Sequence, residues 1–522
     1  MSCFCLTDSR SSVLQRFSAI ANMFSGNVSH FAENVSATDT DTAFSLQASA
    51  QRDYKSTKNH RYLVRGGFLY TANPAQVCIP DSWLLVTGDT ISAIGSGNQA
   101  EPEYDTLIKA DGKMILPGLV NPHWHESFVA PNDELPDDSH LPTTPYAGGG
   151  NIAALGSMFG FIAGIGKQLT TDEALAIARW SMWTQLRSGT TALGDLGSAN
   201  TADAMAQAAL DLGMRIRVSR WGSDIMIPDN ASNFERVADT QEQLDDWQAL
   251  METWNNHGSG LIGGMPSVTG AFGSSDEQLI AMREIAEHYQ SPYATHLAPL
   301  RNEAAAVKRV FGCSAIERFD KLGLLTNRLI AVHTAYATDT EYKRLLETGV
   351  HICHSPAHYG MLGESTISET KQIARFIKDG APVSSSTDGD ITYIGGMPEA
   401  MRAAHLGHNE ASNNNTTCPP NTALLTGTRN GAYALGWGNK IGSIEVGKQA
   451  DLVMIDIDDW RYRIGNHPLR TFLVAGGSKD VNSVMVAGKF VVREGKSTRF
   501  NESELLSDYQ KAALSARKRI KK

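Results

Sequence analysis

The 522-residue sequence predicts an α/β protein: a TIM-like (β/α)8 barrel with a small flanking β-sandwich domain built from both ends of the chain. Three observations carry that expectation. Beyond Pro117, eight short β-type runs alternate with amphipathic helical stretches, the order of a parallel sheet with helical crossovers. Before Pro117, and again from Asp451, short β runs follow one another with Gly and Asp turns between them, as in a small sheet. Finally, histidines and a carboxylate recur at the C-terminal ends of the barrel runs, where such folds carry their chemistry.

In chain order, residues 1–58 are rich in Ser, Thr, Asn and Ala and read as a disordered extension. They lack the charged segment and long apolar run of a secretory signal. Arg10 and Arg16 among serines fit an organellar transit peptide, but Asp8, Glu33, Asp39 and Asp41 argue against one. The first part of the β-sandwich spans 59–116, through "RYLVRGGFLYTA", "SWLLVTGDTISAIGSG" and "TLIKADGKMILPG". The barrel spans 117–438. Its eight runs are "LVNPHWH", "TTALGDL", "RIRVSRW", "LIGGMPSV", "YATHLA", "LIAVHTA", "VHICHSP" and "PVSSSTD". Helical segments such as "TDEALAIARWSMWTQLRSG", "TADAMAQAALDLG" and "ISETKQIARFIKDG" lie between them and close on Gly, as a helix C-cap does. The second part of the β-sandwich, 439–498, contains "DLVMIDI" and "VNSVMVAGKFVVREGK", and 499–522 is a C-terminal helix with a basic, solvated tail.

Composition narrows the function. A net charge of −10 offers no basic field for nucleic acid. The longest apolar stretch, "MFGFIAGIG", is too short to span a bilayer, so no membrane partner is expected. Cys3, Cys5, Cys78, Cys313, Cys353 and Cys418 form neither a disulfide framework nor a zinc ribbon, which fits a reducing, cytoplasmic compartment. The expected partner is a small-molecule substrate, and the sequence is compatible with a homo-oligomer. "YAGGGN" and "AGIGK" lack the spacing of a phosphate loop and read as flexible loops.

The first barrel run ends in His-Trp-His. Side chains at i and i+2 share a face of a strand, so His123 and His125 point together and Trp124 points away. His296 ends strand five, His333 ends strand six and Asp388 ends strand eight. Two imidazoles, a third from strand five and a carboxylate make an N3O donor set suited to one Zn(II) or Fe(II) ion, with room for water. A lone His-x-His pair is weak; four strand ends supplying such groups together are not. His351 starts strand seven and reads as structural, whereas His354 and His358 lie near the barrel mouth and could contact substrate. Asp195 reads as a residue that holds a loop or helix start in preference to one at the barrel mouth.

The ordered set "ILPGLVNPHWH", "GTTALGD", "ATHLA", "IAVHTA", "CHSPAH", "SSTDGD" and "IGSIEVGKQADLVMID" resembles the amidohydrolase superfamily over about residues 60–496. It is most similar to the branch of cytosine deaminase, S-adenosylhomocysteine deaminase and triazine hydrolase. The resemblance implies that His123, His125, His296 and Asp388 hold one divalent ion that activates water. It makes His333 the residue that orients the nucleophile and polarises the substrate, and Asp388 the proton acceptor. Other branches bridge two metals with a carboxylated lysine on strand four, but "SGLIGGMPSVTGAFGSS" contains no lysine.

Deaminases of that branch carry a proton-shuttling glutamate as His-x-x-Glu on strand five. Here "HLAPLRNE" places Pro299 there, which leaves Glu303 and Glu126 as candidate proton donors, the alternative for each being an ordinary surface carboxylate. The long acidic loop "PNDELPDDSHLPTTPYAGGGN" reads as a lid over the barrel mouth. The expected function is metal-dependent hydrolysis of a non-peptide C–N bond in a small, heteroaromatic molecule, as in a deaminase. The alternatives are hydrolysis of an amide, carbamate, urea or halide-bearing ring, and a non-catalytic barrel that acts as a binding module.

Overall fold

The computed structural model describes residues 59–126, 150–362, 366–389 and 395–520. The N-terminal extension and the acidic loop as far as residue 149 lie outside the described residues.

Eight parallel runs form the centre, each at the position its β-type sequence predicts. In one five-stranded sheet the order is Ile262–Gly264, Arg215–Val218, Thr190–Asp195, Leu119–His125, Asp388–Gly389. In a six-stranded sheet the order is Trp221–Gly222, Ser267–Val268, Tyr293–Leu297, Leu329–His333, His351–His354, Val383–Ser385. Three runs change sheet part-way along: 215–222, 262–268 and 383–389 each supply a strand to both. The parallel strands therefore form two arcs that share these three runs.

Local sequence explains where the helices between them begin and end. Thr170 caps Thr171–Arg187 in a capping box with Glu173, and Thr338 does the same for Asp339–Thr348 with Glu341. Ala202–Leu212 and Asp339–Thr348 stop at Gly213 and Gly349, whose positive φ angles of 73° and 68° suit a residue without Cβ. One loop reading is corrected. "AGIGK" is the end of a helix, Ile152–Gly166, whose first turn is capped by the Asn151 side chain accepting from the Ala154 N–H. Burial of Ile152 and Leu155 in one apolar cluster and of Ile165 in another outweighs the helix-weakening of its glycines.

Strands from both ends of the chain meet in one seven-stranded sheet. There Leu452–Asp456 lies between Lys113–Pro117 and Val481–Val486, antiparallel to each. A four-stranded sheet of Arg61–Arg65, Ser82–Thr87, Thr90–Ser96 and Thr106–Lys109 comes from the N-terminal part alone. A buried core of Val64, Leu84, Ile115, Leu452 and Met485 joins the two sheets. Arg215, at the start of its central strand, reaches across to this region and donates to both carboxylate oxygens of buried Asp451, at 2.8 and 2.9 Å. At the C-terminus, Glu502–Ile520 packs on Thr171–Arg187, stacking Tyr509 on Trp180 at 5.9 Å and pairing Arg519 with Glu173. No single described helix is long and apolar enough to cross a membrane.

Candidate metal centre

The period of two in Leu119–His125 separates its last three side chains. Trp124 is fully buried in the outer hydrophobic core with Leu119 and Met182. His123 and His125 face the other way, and their Nε2 atoms approach to 2.8 Å. His296, near the end of Tyr293–Leu297, brings its Nε2 to 3.3 Å from that of His125. The three ligand atoms lie within 4.8 Å of one another, and all three side chains are buried.

The distal nitrogens are held by the surrounding chain. His125 Nδ1 donates to the Gly197 carbonyl and His296 Nδ1 to the Thr269 carbonyl, the latter at 2.7 Å. A proton committed to Nδ1 leaves the Nε2 lone pair directed at the cluster, the usual arrangement behind a metal-bound histidine. His123 Nδ1 faces the hydroxyls of Ser355 and Ser386 at 3.3 and 3.4 Å. Asp195, at the end of Thr190–Asp195, accepts from Gly197 N–H and Ser198 Oγ–H, so it orders the turn whose carbonyl orients His125. Burial pushes the Asp195 carboxyl up to about 7.

The eighth run places Asp388 opposite this cluster. Its carboxylate oxygens stand 3.8 Å from His123 Nδ1, 3.9 Å from His125 Nε2, 3.8 Å from His333 Nε2 and 3.7 Å from His358 Nε2. Burial pushes this carboxyl up, but the facing rings of His358, His333, His125 and His296, in their protonated forms, outweigh it and hold Asp388 below the usual carboxylate range. Burial drives the imidazoles the other way, lowering His296 to about 4 and His123 and His333 well below the ordinary histidine value. Neutral imidazoles beside an ionised carboxylate are the protonation states a divalent ion requires of its ligands. This donor chemistry fits such an ion.

His333 and Asp388 both adopt left-handed backbone, with φ of 73° and 61°. Side chains with Cβ rarely do so, and such strain concentrates where a group must be aimed. His333 Nδ1 is bonded to the Tyr359 hydroxyl at 2.5 Å, which fixes the ring with Nε2 toward Asp388.

The cavity over the cluster is lined by His125, Glu126, His296, Pro299, His333, His358 and Asp388 on its polar side. Its apolar wall is one face of the helix Ile152–Gly166, where Leu155, Met158, Phe159 and Ile162 recur at helical spacing, with Trp221 and Phe272 beside them. The Phe159 ring stacks parallel to His296 at 5.6 Å, and Trp221 lies 4.9 Å from His125.

The residues singled out in the sequence divide accordingly. His123, His125, His296, His333, His358 and Asp388 come together, and Glu126 and Pro299 line the same space. His354 does not line it; its Nε2 pairs with His408 Nε2 at 3.0 Å. Glu303 is fully buried in the first turn of the helix Arg301–Phe311 and is not among the lining residues. Burial pushes its carboxyl up to about 8. The sequence reading did not pick out Tyr359, Trp221, Phe159 or Phe272. Of these, Phe159 was within reach through the 155-158-159-162 spacing inside the apolar stretch.

Residues 114–491 match the family described as "Amidohydrolase family". The chain belongs to that family. It is 24% identical over 449 residues to a 5-methylthioadenosine/S-adenosylhomocysteine deaminase of Acetivibrio thermocellus, covering 85% of this chain and 96% of the relative. It is 26% identical over 464 residues to a 5'-deoxyadenosine deaminase of Methanopyrus kandleri, covering 87% and 98%. Among solved structures, an adenosine deaminase from Xanthomonas campestris with bound zinc aligns with a TM-score of 0.74 at 22% identity, over 88% of this chain and 98% of that one. An atrazine chlorohydrolase from Arthrobacter aurescens, complexed with zinc, aligns with a TM-score of 0.74 at 21% identity, over 87% and 100%. These likenesses establish the fold as a TIM-like barrel of α/β content.

Proposed function

We infer that this amidohydrolase is a metal-dependent hydrolase that cleaves a non-peptide C–N bond on a small heteroaromatic molecule. The observation that carries the reading is the convergence of three buried imidazoles on one point beside a buried carboxylate, with the Nδ1 atoms of His125 and His296 committed to backbone carbonyls. His123, His125, His296 and Asp388 would hold a single Zn(II) or Fe(II) ion. The zinc in two solved relatives supports Zn(II), and the absence of lysine from residues 259–275 supports one ion. A divalent ion bound there supplies a water whose pKa falls from about 15.7 to about 7.

The chain's own groups do the rest. Asp388, ionised at neutral pH, accepts a proton from water in the cavity. His333, held through Nδ1 by Tyr359, presents Nε2 to the oxygen or nitrogen that gains charge as the attacked carbon becomes tetrahedral. Glu126 delivers the proton that lets the nitrogen leave. It lines the cavity beside Pro299, whereas Glu303 does not. Phe159, Trp221 and Phe272 receive a flat ring and exclude bulk water.

Pro299 also supports a second reading, in which the leaving group is one that needs little protonation, such as halide or an amine released from a urea. The likeness to an atrazine chlorohydrolase points the same way. The donor set is complete, which argues against a non-catalytic binding module.

We also assign the domains as follows. The strands of 59–116 and 439–498 form one flanking β-sandwich, residues 117–438 close the (β/α)8 barrel, and the helix from 499 braces it. Sharing of three runs between the two parallel sheets supports closure.

Assay of ammonia and of halide or amine release across aminated rings, chlorinated rings, amides and ureas tests the reading. Metal-loaded and chelator-stripped protein are compared. Metal-dependent ammonia release from an aminated ring is expected. Absence of metal-dependent release from every class would refute hydrolysis.

A further inference from the structure

A second cavity, of about 1020 Å³, lies at the opposite end of the strands from the histidine cluster. His351 and Val383, which begin His351–His354 and Val383–Ser385, form part of its lining, while His354 and Asp388 lie at the far ends of the same runs. We propose that this cavity binds a phosphate-bearing small molecule.

Charge is the first argument. Lys371, Arg375, Lys378 and Arg429 line the cavity, and among the described residues no aspartate or glutamate does. The chain as a whole carries 56 acidic against 46 basic residues, so a lining with four cations departs from its average surface even though Asp339, outside the lining, pairs with one of them, Arg375. Spacing is the second. Arg375 and Lys378, three residues apart, share one face of the helix Gln372–Lys378, and Lys371 lines the same cavity from the position just before its first turn. Gln372, Ile373 and Phe376 are buried on its other side, so packing of the helix holds the basic face toward the cavity.

Two of the cations are positioned in advance. The Arg375 guanidinium lies 3.9 Å over the Tyr342 ring and pairs with Asp339 at 2.5 Å, and Arg429 lies 5.6 Å from the Tyr433 ring centre. Aromatic contacts of this kind restrict a guanidinium while leaving donors free for a planar or tetrahedral oxyanion. The cavity volume suits a ligand of several rings or a sugar phosphate. Cations gathered in one pocket, rather than spread along a track, favour such a ligand over a nucleic-acid strand.

The test is calorimetric titration of the metal-loaded full chain with inorganic phosphate and with ribose 5-phosphate, at low ionic strength. Neither probe carries a ring that would stack in the aromatic pocket over the metal centre. Parent protein is compared with Lys378→Gln, an exposed single change, and with the Lys371→Gln/Lys378→Gln/Arg429→Gln combination. Saturable binding is expected, weakened at least tenfold in the combination and measurably in Lys378→Gln, with metal content and anion-free turnover unchanged. Tighter binding of ribose 5-phosphate identifies an organic phosphate as the ligand, and equal binding identifies the phosphate group itself. Failure of both probes to bind would overturn the proposal. So would equal binding by the parent and both variants, because the anion would then sit at the metal centre or elsewhere.

Discussion

Glu126 and Glu303 are both fully buried carboxyls near Pro299, and their surroundings give them different tasks. Glu126 follows the His-Trp-His run and lines the metal cavity. Its replacement by Gln keeps shape and removes the acid, so turnover on a substrate with a poor leaving group should fall by about 10²–10⁴ with metal content intact. Steady-state kinetics beside metal analysis checks this; parent-like turnover would remove Glu126 from the chemistry. Glu303 is a stability residue on this account. Its folded value of about 8 exceeds the ordinary glutamate value of about 4.3, so between those limits the folded chain holds a proton that the unfolded chain has lost. That contribution is whole below the unfolded value and is lost as pH rises to about 8. Glu303→Gln lacks the titration, so its unfolding free energy should gain on the parent's between pH 5 and pH 8; parallel curves would show that Glu303 does not titrate there. Which glutamate faces the cavity was not legible in the sequence, because both lie within a few residues of a ligand or of Pro299. Only the direction of the first turn of Arg301–Phe311 separates them.

At the level of elements, the helix Ile152–Gly166 connects an apolar run in the sequence to a wall of the site. Phe159 stacks on His296 and contacts Trp221, and on the proposed reading it shields that histidine and offers a ring to substrate. Phe159→Ala should reduce kcat/KM about tenfold, from the loss of stacking and burial worth about 1–2 kcal/mol, without removing metal. An unchanged kcat/KM would place the substrate elsewhere in the cavity. The strand ends were readable because period two and parallel alternation are local rules, and they carried His123, His125, His296, His333 and Asp388 to one place. The wall was not readable. Phe159, Trp221 and Phe272 come from three separate segments, and their meeting depends on how those segments pack rather than on any local pattern. Likewise the pairing of His354 with His408 turned a residue expected at the mouth away from the cavity, since its partner lies on the later helix Met397–Ala411.

Across the whole molecule, the central strands are tied to the flanking sheet by a buried, two-pronged ion pair. Arg215 is 2% exposed and Asp451 3%, and Asp451 also accepts from the Ala487 N–H at 2.9 Å. Asp451→Ala leaves a buried guanidinium without its counter-charge and should cost about 3–5 kcal/mol, read as a lowered midpoint of denaturant unfolding. A shift below about 1 kcal/mol would mean the two parts are held by apolar packing alone. The same two-part frame sets the strand ends that meet at the candidate metal centre, so the site is a property of the assembled fold.

The most direct test compares metal content in two variants purified side by side. His296→Ala removes a ligand, whereas His333→Ala removes a neighbour 5.3 Å away between ring centres that Tyr359 holds by Nδ1. Elemental analysis should find about one divalent ion per chain in the parent and in His333→Ala, and almost none in His296→Ala. Full metal in His296→Ala, or loss of metal from His333→Ala, would contradict the assignment.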